Sequence, residues 1–409
     1  MVASIKMPGS QLTYLNRVKV KGHLFALFIQ KKSEKMKKLS LSIFVISSIY
    51  SLSIYSQPKD FIFHSELSQE WFEGGDYFEW TSTTKNNDSA EVDVFYRTWG
   101  DSEKPKLLIV HGFPNSSFDF HALIPLLEDD YYIAALDFPG SGFSDKPLEG
   151  FSYMLAENAQ ILDYFVSEVV HFDNFAMYTH DRGVSIGLAF IGNYIENPNP
   201  RYTVNYHFLS NSGMFLPLAN LREFQTSILD PVRGPRMIEL RRSRPRLTEG
   251  DPVDVAFADI FAFNDGVSAL LHVGKYLLER AENEFSWLDN LPRSRVPVAY
   301  LWGLTDTVNP IRIPNYVWLN YLNEREVESS FWVLPTAGHY PQRDKPEQVE
   351  KIIRIALSGE VPSREREDLW MYEYSDNREA EDAIYVGHSN VRKMEFPGAI
   401  EYSPDGYSP

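Results

Sequence analysis

The chain has no cysteine in its 409 residues. Disulfides, thiolate metal sites and cysteine nucleophiles are therefore excluded. Basic residues are in deficit: 39 Lys and Arg stand against 56 Asp and Glu, a formal charge of −17. Phosphate backbones repel so acidic a chain, which argues against nucleic acid as a partner. The Ser-laced apolar stretch at residues 39–54 is 16 residues long, short of the ~20 that span a bilayer as a helix. What is present is an ordinary globular composition, 44% hydrophobic and 14% aromatic. That is enough to fill a core, and the length suits one large domain with an insertion, or two domains.

Charge is uneven along the chain. Residues 1–38 carry nine Lys and Arg against one acid, Glu34, so the remainder stands near −25, that is, −17 minus +8. Met36-Lys37-Lys38, the apolar stretch 39–54 and Ser56-Gln57-Pro58 follow the order of a secretory signal. The expectation is a secreted or periplasmic protein whose true start is Met36. An uncleaved membrane anchor is the first alternative and a buried helix the second. No cysteine follows the stretch, which excludes a lipoprotein anchor.

Beyond the leader, residues 76–99 alternate apolar and polar side chains around a turn-rich break, as a hairpin or two edge strands would. Short continuous apolar runs at 106–110, 131–136, 175–178, 206–209, 298–302 and 330–334 read as strands buried on both faces. Helical stretches at 120–127, 153–170, 183–194 and 347–355 separate them. Such alternation predicts an α/β fold with a mostly parallel sheet covered by helices. Residues 213–293 break the pattern. They hold helices, including 253–261 and 267–282, but no strand, and read as an inserted helical cap. The expected organisation is 1–57 leader, 58–212 and 294–358 the two parts of the core, 213–293 cap, and 359–409 an acidic extension, peripheral or partly disordered. The basic cluster at 241–246 reads as a solvated cap face.

Four segments fall at the C-terminal ends of predicted strands, where such sheets place their sites. His111-Gly112-Phe113-Pro114 can aim a backbone N–H at a developing oxyanion. Thr179-His180-Asp181-Arg182-Gly183 has the form of a nucleophile elbow, with small residues two before and two after Asp181. Gly183-Val184-Ser185-Ile186-Gly187 matches the serine-hydrolase pattern, but Ser185 would lie a full turn inside the helix. The remaining two segments carry Asp306 and His339. In chain order they supply nucleophile, acid and histidine. His339 can take a proton from water while Asp306 holds its tautomer.

These motifs, with residues 137–147, resemble the epoxide hydrolase and haloalkane dehalogenase branch of the α/β hydrolases across about residues 77–355. Within it the chain looks nearest to mesoderm-specific-transcript-like proteins, through Asn264-Asp265-Gly266, Tyr276 and residues 306–310. The resemblance implies an α/β-hydrolase fold and an Asp181–His339–Asp306 triad that forms an alkyl ester on Asp181. Backbone N–H groups of Phe113 and Arg182 would form the oxyanion hole. His111, Pro114, His180, Arg182 and Tyr276 would line the substrate site. No metal or organic cofactor is required, and the partner is a small molecule, apolar or bearing a carboxylate. Subclass marks are mixed. Only one cap tyrosine, Tyr276, is present where similar epoxide hydrolases use two. Arg182 stands where similar haloalkane dehalogenases have a halide-binding Trp. Asp-Arg-Gly is instead similar to fluoroacetate dehalogenases, which bind a carboxylate through that Arg; their second Arg is here Ser185. Epoxide hydrolysis is the first expectation and dehalogenation the second. A catalytically silent scaffold and a serine esterase using Ser185 are the remaining alternatives.

Overall fold

A computed structural model describes residues 61–359 and 383–389. The leader, residues 1–57, lies outside the described residues, as does most of the acidic extension. Helix α1 (Glu66–Glu73) leads into β1 (Gly75–Thr81), β2 (Glu91–Trp99), β3 (Lys106–Val110) and β4 (Tyr132–Leu136). Next come α2 (Leu155–Tyr164), β5 (Asn174–His180), α3 (Arg182–Glu196) and β6 (Thr203–Ser210). Between β6 and β7 (Val298–Gly303) the chain is helical: α4 (Glu223–Ile228), α5 (Arg233–Arg242), α6 (Pro252–Ala262), α7 (Gly266–Val273), α8 (Tyr276–Leu288) and α9 (Asn290–Arg293). The chain closes with α10 (Arg312–Val317), β8 (Ser329–Leu334), α11 (Pro341–Asp344), α12 (Pro346–Leu357) and β9 (Ile384–His388).

Among the described residues, nine strands form one sheet in the order β1-β2-β4-β3-β5-β6-β7-β8-β9. The pairs from β4 through β8 are parallel, and antiparallel pairs occur at both edges. Alternation explains how one strand serves two cores. In β3, Leu108 and Val110 join Met177 of β5 and Ile186 of α3 on one face. Leu107 and Ile109 join Phe208, Trp332 and the α12 residues Val349, Ile352 and Ile353 on the other. At the edge, Phe78 pairs with Val94 and Trp80 with Val92, so the hairpin buries one stripe.

Three sequence expectations need correction. Residues 120–127 are not an α-helix but two short 3₁₀ turns, Ser117–Phe120 and Ile124–Leu126, the second carrying Pro125 where a continuing helix would need an N–H. The helix expected at 267–282 is two, α7 and α8, separated at Gly274 and Lys275. The C-terminal extension is not wholly peripheral, because β9 pairs antiparallel with β8 and buries Tyr385 against Trp332. Segment 61–73 is tied to the helical insertion: the buried Asp259 carboxylate accepts from His64 N at 2.7 Å, Ser65 N at 3.0 Å and Ser68 Oγ at 2.8 Å. Among the described residues no helix is long and apolar enough to cross a membrane.

Candidate functional site

Asp181 is the single residue between β5 and α3. Its backbone sits at φ 51°, ψ −115°, outside the regions that L-residues favour. Neighbours hold it there. Its N–H donates to Asn211 O at 3.1 Å, and its carbonyl accepts from Ser212 Oγ at 2.7 Å and Val184 N at 3.2 Å. The turn also needs bare backbone around it. A Cβ on Gly183 would lie 2.6 Å from the carbonyl oxygens of Val110 and His111. The carboxylate is buried, with Oδ1 accepting from Phe113 N at 2.9 Å. The positive end of the α3 dipole favours a negative charge at this point.

Asp306 follows β7 and His339 follows β8. His339 Nδ1 bonds Asp306 Oδ2 at 2.8 Å, and its Nε2 lies 3.6 Å from Asp181 Oδ2. Asp306 is itself fixed. Its Oδ1 accepts from Val308 N at 2.8 Å and Asn309 N at 2.9 Å, and its Oδ2 from Asn211 Nδ2 at 2.9 Å. Burial is the largest influence on the His339 ring and favours its neutral form. The Asp306 bond and the charges of Asp181, Asp306 and Asp119 outweigh it and hold the ring above its ordinary value. Burial likewise opposes the Asp306 charge, but the His339 bond and charge and the amide donors bring its carboxyl below the usual range. One imidazole thus stands between two carboxylates, with a backbone N–H on the far oxygen of Asp181. That arrangement suits attack by Asp181 followed by delivery of water from His339.

The other sequence-selected residues divide. His111 is fully buried, with Nε2 accepting from Phe138 N at 3.0 Å and Nδ1 facing Gly112 O at 2.8 Å. Burial brings it down to about 4, so it is a neutral brace of the loop, not a ligand-binding group. His180 is buried too: its Nε2 donates to the His339 carbonyl at 2.7 Å, while its Nδ1 has no hydrogen-bond partner. Pro114 is half-buried beside Phe113. Tyr276, the first residue of α8, packs on Phe113 with ring centroids 5.3 Å apart. Its hydroxyl is buried without a hydrogen bond of normal geometry. Arg182 is fully buried over the Phe138 and Tyr276 rings, and none of its three guanidinium nitrogens has a partner. Burial brings its pKa down to about 10. Ser185 lies within α3, and its hydroxyl accepts from Arg280 Nε at 2.9 Å, with no histidine bonded to it.

Sequence reasoning missed Asn211, Ser212, Asn309, Asp119 and Arg280. Asp119 is buried beside the site, with Oδ1 accepting from Asn115 Nδ2 at 2.8 Å; burial pushes it up to about 7. Arg280 had a signal. Tyr276, Arg280 and Glu284 fall on one stripe of α8 at four-residue spacing, and all three are buried. Charged groups on the buried face of a helix ask for partners.

A nine-stranded mixed sheet, a sharp strand-to-helix turn bearing Asp181 after a central strand, and an acid and a histidine after later strands define a hydrolase of the α/β class. The chain belongs to the alpha/beta hydrolase family, whose model matches residues 107–352. It is 30% identical over 290 residues to the putative hydrolase LipZ of Mycobacterium tuberculosis strain H37Rv, covering 68% of this chain and 93% of that one. It is 26% identical to the mesoderm-specific transcript protein of Mus musculus over 289 residues, 65% of this chain and 83% of that one. Haloalkane dehalogenase DbeA from Bradyrhizobium elkani shares the fold with a TM-score of 0.55 and 18% identity, over 70% of this chain and 98% of that one.

Proposed function

We propose that the protein hydrolyses small electrophilic substrates through an alkyl ester on Asp181, with epoxides as the first class. The observation that carries this reading is the identity of the elbow residue. A carboxylate occupies the strained position, its free oxygen 3.6 Å from His339 Nε2, while Ser185 is bonded away inside the helix. Asp181 Oδ2 attacks an epoxide carbon and the C–O bond breaks. The released alkoxide takes a proton from Tyr276, whose buried phenol stays protonated far above neutral pH. His339 then deprotonates water, which adds to the Asp181 ester carbonyl. Phe113 N, with Arg182 N as its proposed partner, receives the oxyanion. Collapse releases the diol and returns the carboxylate, and the proton taken up by His339 is returned through solvent to the Tyr276 phenolate, which restores both groups. Residues 213–293 act as the cap that carries Tyr276 over the nucleophile.

A second reading is haloacid dehalogenation, favoured by the unpartnered Arg182 guanidinium beside the nucleophile. A bidentate contact with a substrate carboxylate would satisfy it. The same half-reactions then expel halide in place of alkoxide. The test is turnover of styrene oxide, 1-bromobutane and bromoacetate by the wild type, Asp181→Asn and Ser185→Ala. Loss in Asp181→Asn on the substrate turned over supports the reading. Activity that survives Asp181→Asn but not Ser185→Ala overturns it in favour of Ser185 as the nucleophile. A wild type inert on all three, with Asp181 unmodified, supports a silent scaffold.

A further inference from the structure

The Gly183–Gly187 motif has no part in the proposed reaction, yet its serine is not idle. Arg280, on α8 of the insertion and 1% exposed, donates from Nε to Ser185 Oγ at 2.9 Å. Its Nη2 reaches the carbonyl oxygen of Asp181 at 3.4 Å. Its guanidinium carbon lies 4.8 Å from the centre of the Tyr276 ring, one helical turn away. One planar group therefore touches the elbow helix, the nucleophile's own backbone and the proposed proton donor. The surroundings are shaped to it: a Cβ on Gly213 would come within 3.1 Å of Arg280 Nη1. Glu284, the nearby acid on the same helix, accepts from Leu216 N at 2.8 Å.

We infer that Arg280 is a positioning residue that couples the helical insertion to the nucleophile, with Ser185 as its socket. This rests on the reading of Asp181 as nucleophile and Tyr276 as acid. A neutral side chain in place of Arg280 would leave the Asp181 carbonyl to Ser212 and Val184 alone, and would leave the Tyr276 ring to Phe113 and Arg182. The elbow conformation is disfavoured by itself, so the loss of one clamp loosens it. Both groups that Arg280 touches act in ester formation. The base that ester hydrolysis adds, His339, and its orienting Asp306 are held apart from Arg280, by Asn211, Asn309 and the 306–309 turn. The consequence is graded: Arg280 weighs more on the first half-reaction, which uses both the elbow and Tyr276, than on the second, which uses the elbow alone.

The experiment separates the half-reactions with styrene oxide as probe. Ester formation is followed by the mass of the Asp181 peptide in a His339→Gln background, and hydrolysis by decay of the ester in enzyme with His339 intact. Arg280→Met is expected to slow ester formation by at least ~10-fold, the scale of a small misplacement, with hydrolysis changed by less than about threefold. Arg280→Lys recovers part of the loss. Ser185→Ala slows formation less, and the double variant is no slower than Arg280→Met, because the two residues act through one contact. Equal loss in both half-reactions, no loss in either, or additive effects of the two substitutions overturn the inference. A His339→Gln enzyme with Arg280 intact that forms no adduct overturns the Asp181 reading instead. Amide hydrogen exchange at Asp181 and Val184 then decides the coupling without any substrate. Arg280→Met is expected to speed it about tenfold at unchanged melting temperature, and unchanged exchange rejects the coupling.

Discussion

A Cβ on Gly112 would sit 2.6 Å from the Cβ of Asp181 and 3.0 Å from its Oδ1. The loop that supplies the Phe113 N–H is therefore set against Asp181 at backbone distance. Gly112→Ala must displace one or the other. We predict a loss of ~10²-fold in kcat/KM, as a displacement near 1 Å produces. Stability should fall by only about 1–3 kcal/mol, the usual cost of overpacking. Steady-state kinetics with thermal unfolding checks this. A variant as active as the wild type would mean that the loop and elbow need not meet.

Protonation of His339 sets the pH dependence. The folded ring lies above its ordinary 6.5, since the Asp306 bond and flanking carboxylates outweigh burial. Only the neutral ring accepts a proton from water, so ester hydrolysis should rise with pH as the ring deprotonates, at a value below that of the free enzyme because the ester has removed the Asp181 charge. Asp306→Asn removes the chief upward influence and leaves burial. The rising limb should move toward acid while the plateau drops by ~10²–10⁴-fold. The linkage sign follows. A raised folded value contributes stability that is complete below the unfolded value and is lost as pH rises through the folded one. The stability advantage over Asp306→Asn should therefore shrink from mildly acid to alkaline pH. An unshifted rate profile in Asp306→Asn would contradict this account of His339.

Arg182 carries three buried, unbonded guanidinium nitrogens, so it costs stability unless a ligand answers it. Arg182→Met keeps much of the volume and removes the charge. We predict a gain of roughly 1–4 kcal/mol, as for other buried charges replaced by apolar groups. If carboxylate substrates are used, KM for bromoacetate should rise by at least ~10-fold, while that for styrene oxide changes little. A lower melting temperature with equal loss on both substrates would mean that the guanidinium serves packing alone.

Strand β9 covers the edge of β8, with Tyr385 packed edge-to-face on Trp332 at 4.9 Å between centroids. A chain truncated after residue 359 should present an unpaired apolar edge and associate through it. Light scattering should find larger particles than for the full chain. Truncated protein of unchanged size and melting temperature would show that β9 is dispensable.

Legibility in the sequence followed the range of the interactions. Strands β3 to β8 were readable because burial on both faces writes a continuous apolar run, as in Leu107–Val110. Asp181 was readable because strand, turn and helix signals converge there within a few residues. Strand β9 was not, since five residues of alternation sit among acidic and turn-forming neighbours and gain meaning only beside β8. His111 looked like a ligand-binding group because its place next to the site is legible but the direction of its ring is not, and both of its nitrogens face backbone groups. The Arg280–Ser185 bond joins positions 95 apart, and helical periodicity names a buried stripe without naming its partner.

The most direct test of the account is the mass of the tryptic peptide ending at Arg182 after His339→Gln protein is incubated with styrene oxide. Cleavage after Arg182 separates Asp181 from Ser185, so the modified residue is identified by which peptide gains mass. The account predicts an adduct on the Asp181 peptide that persists without His339 and is absent when Asp181 is also replaced by Asn. Label on the Ser185 peptide, or turnover by His339→Gln with Asp181 unmodified, would contradict it.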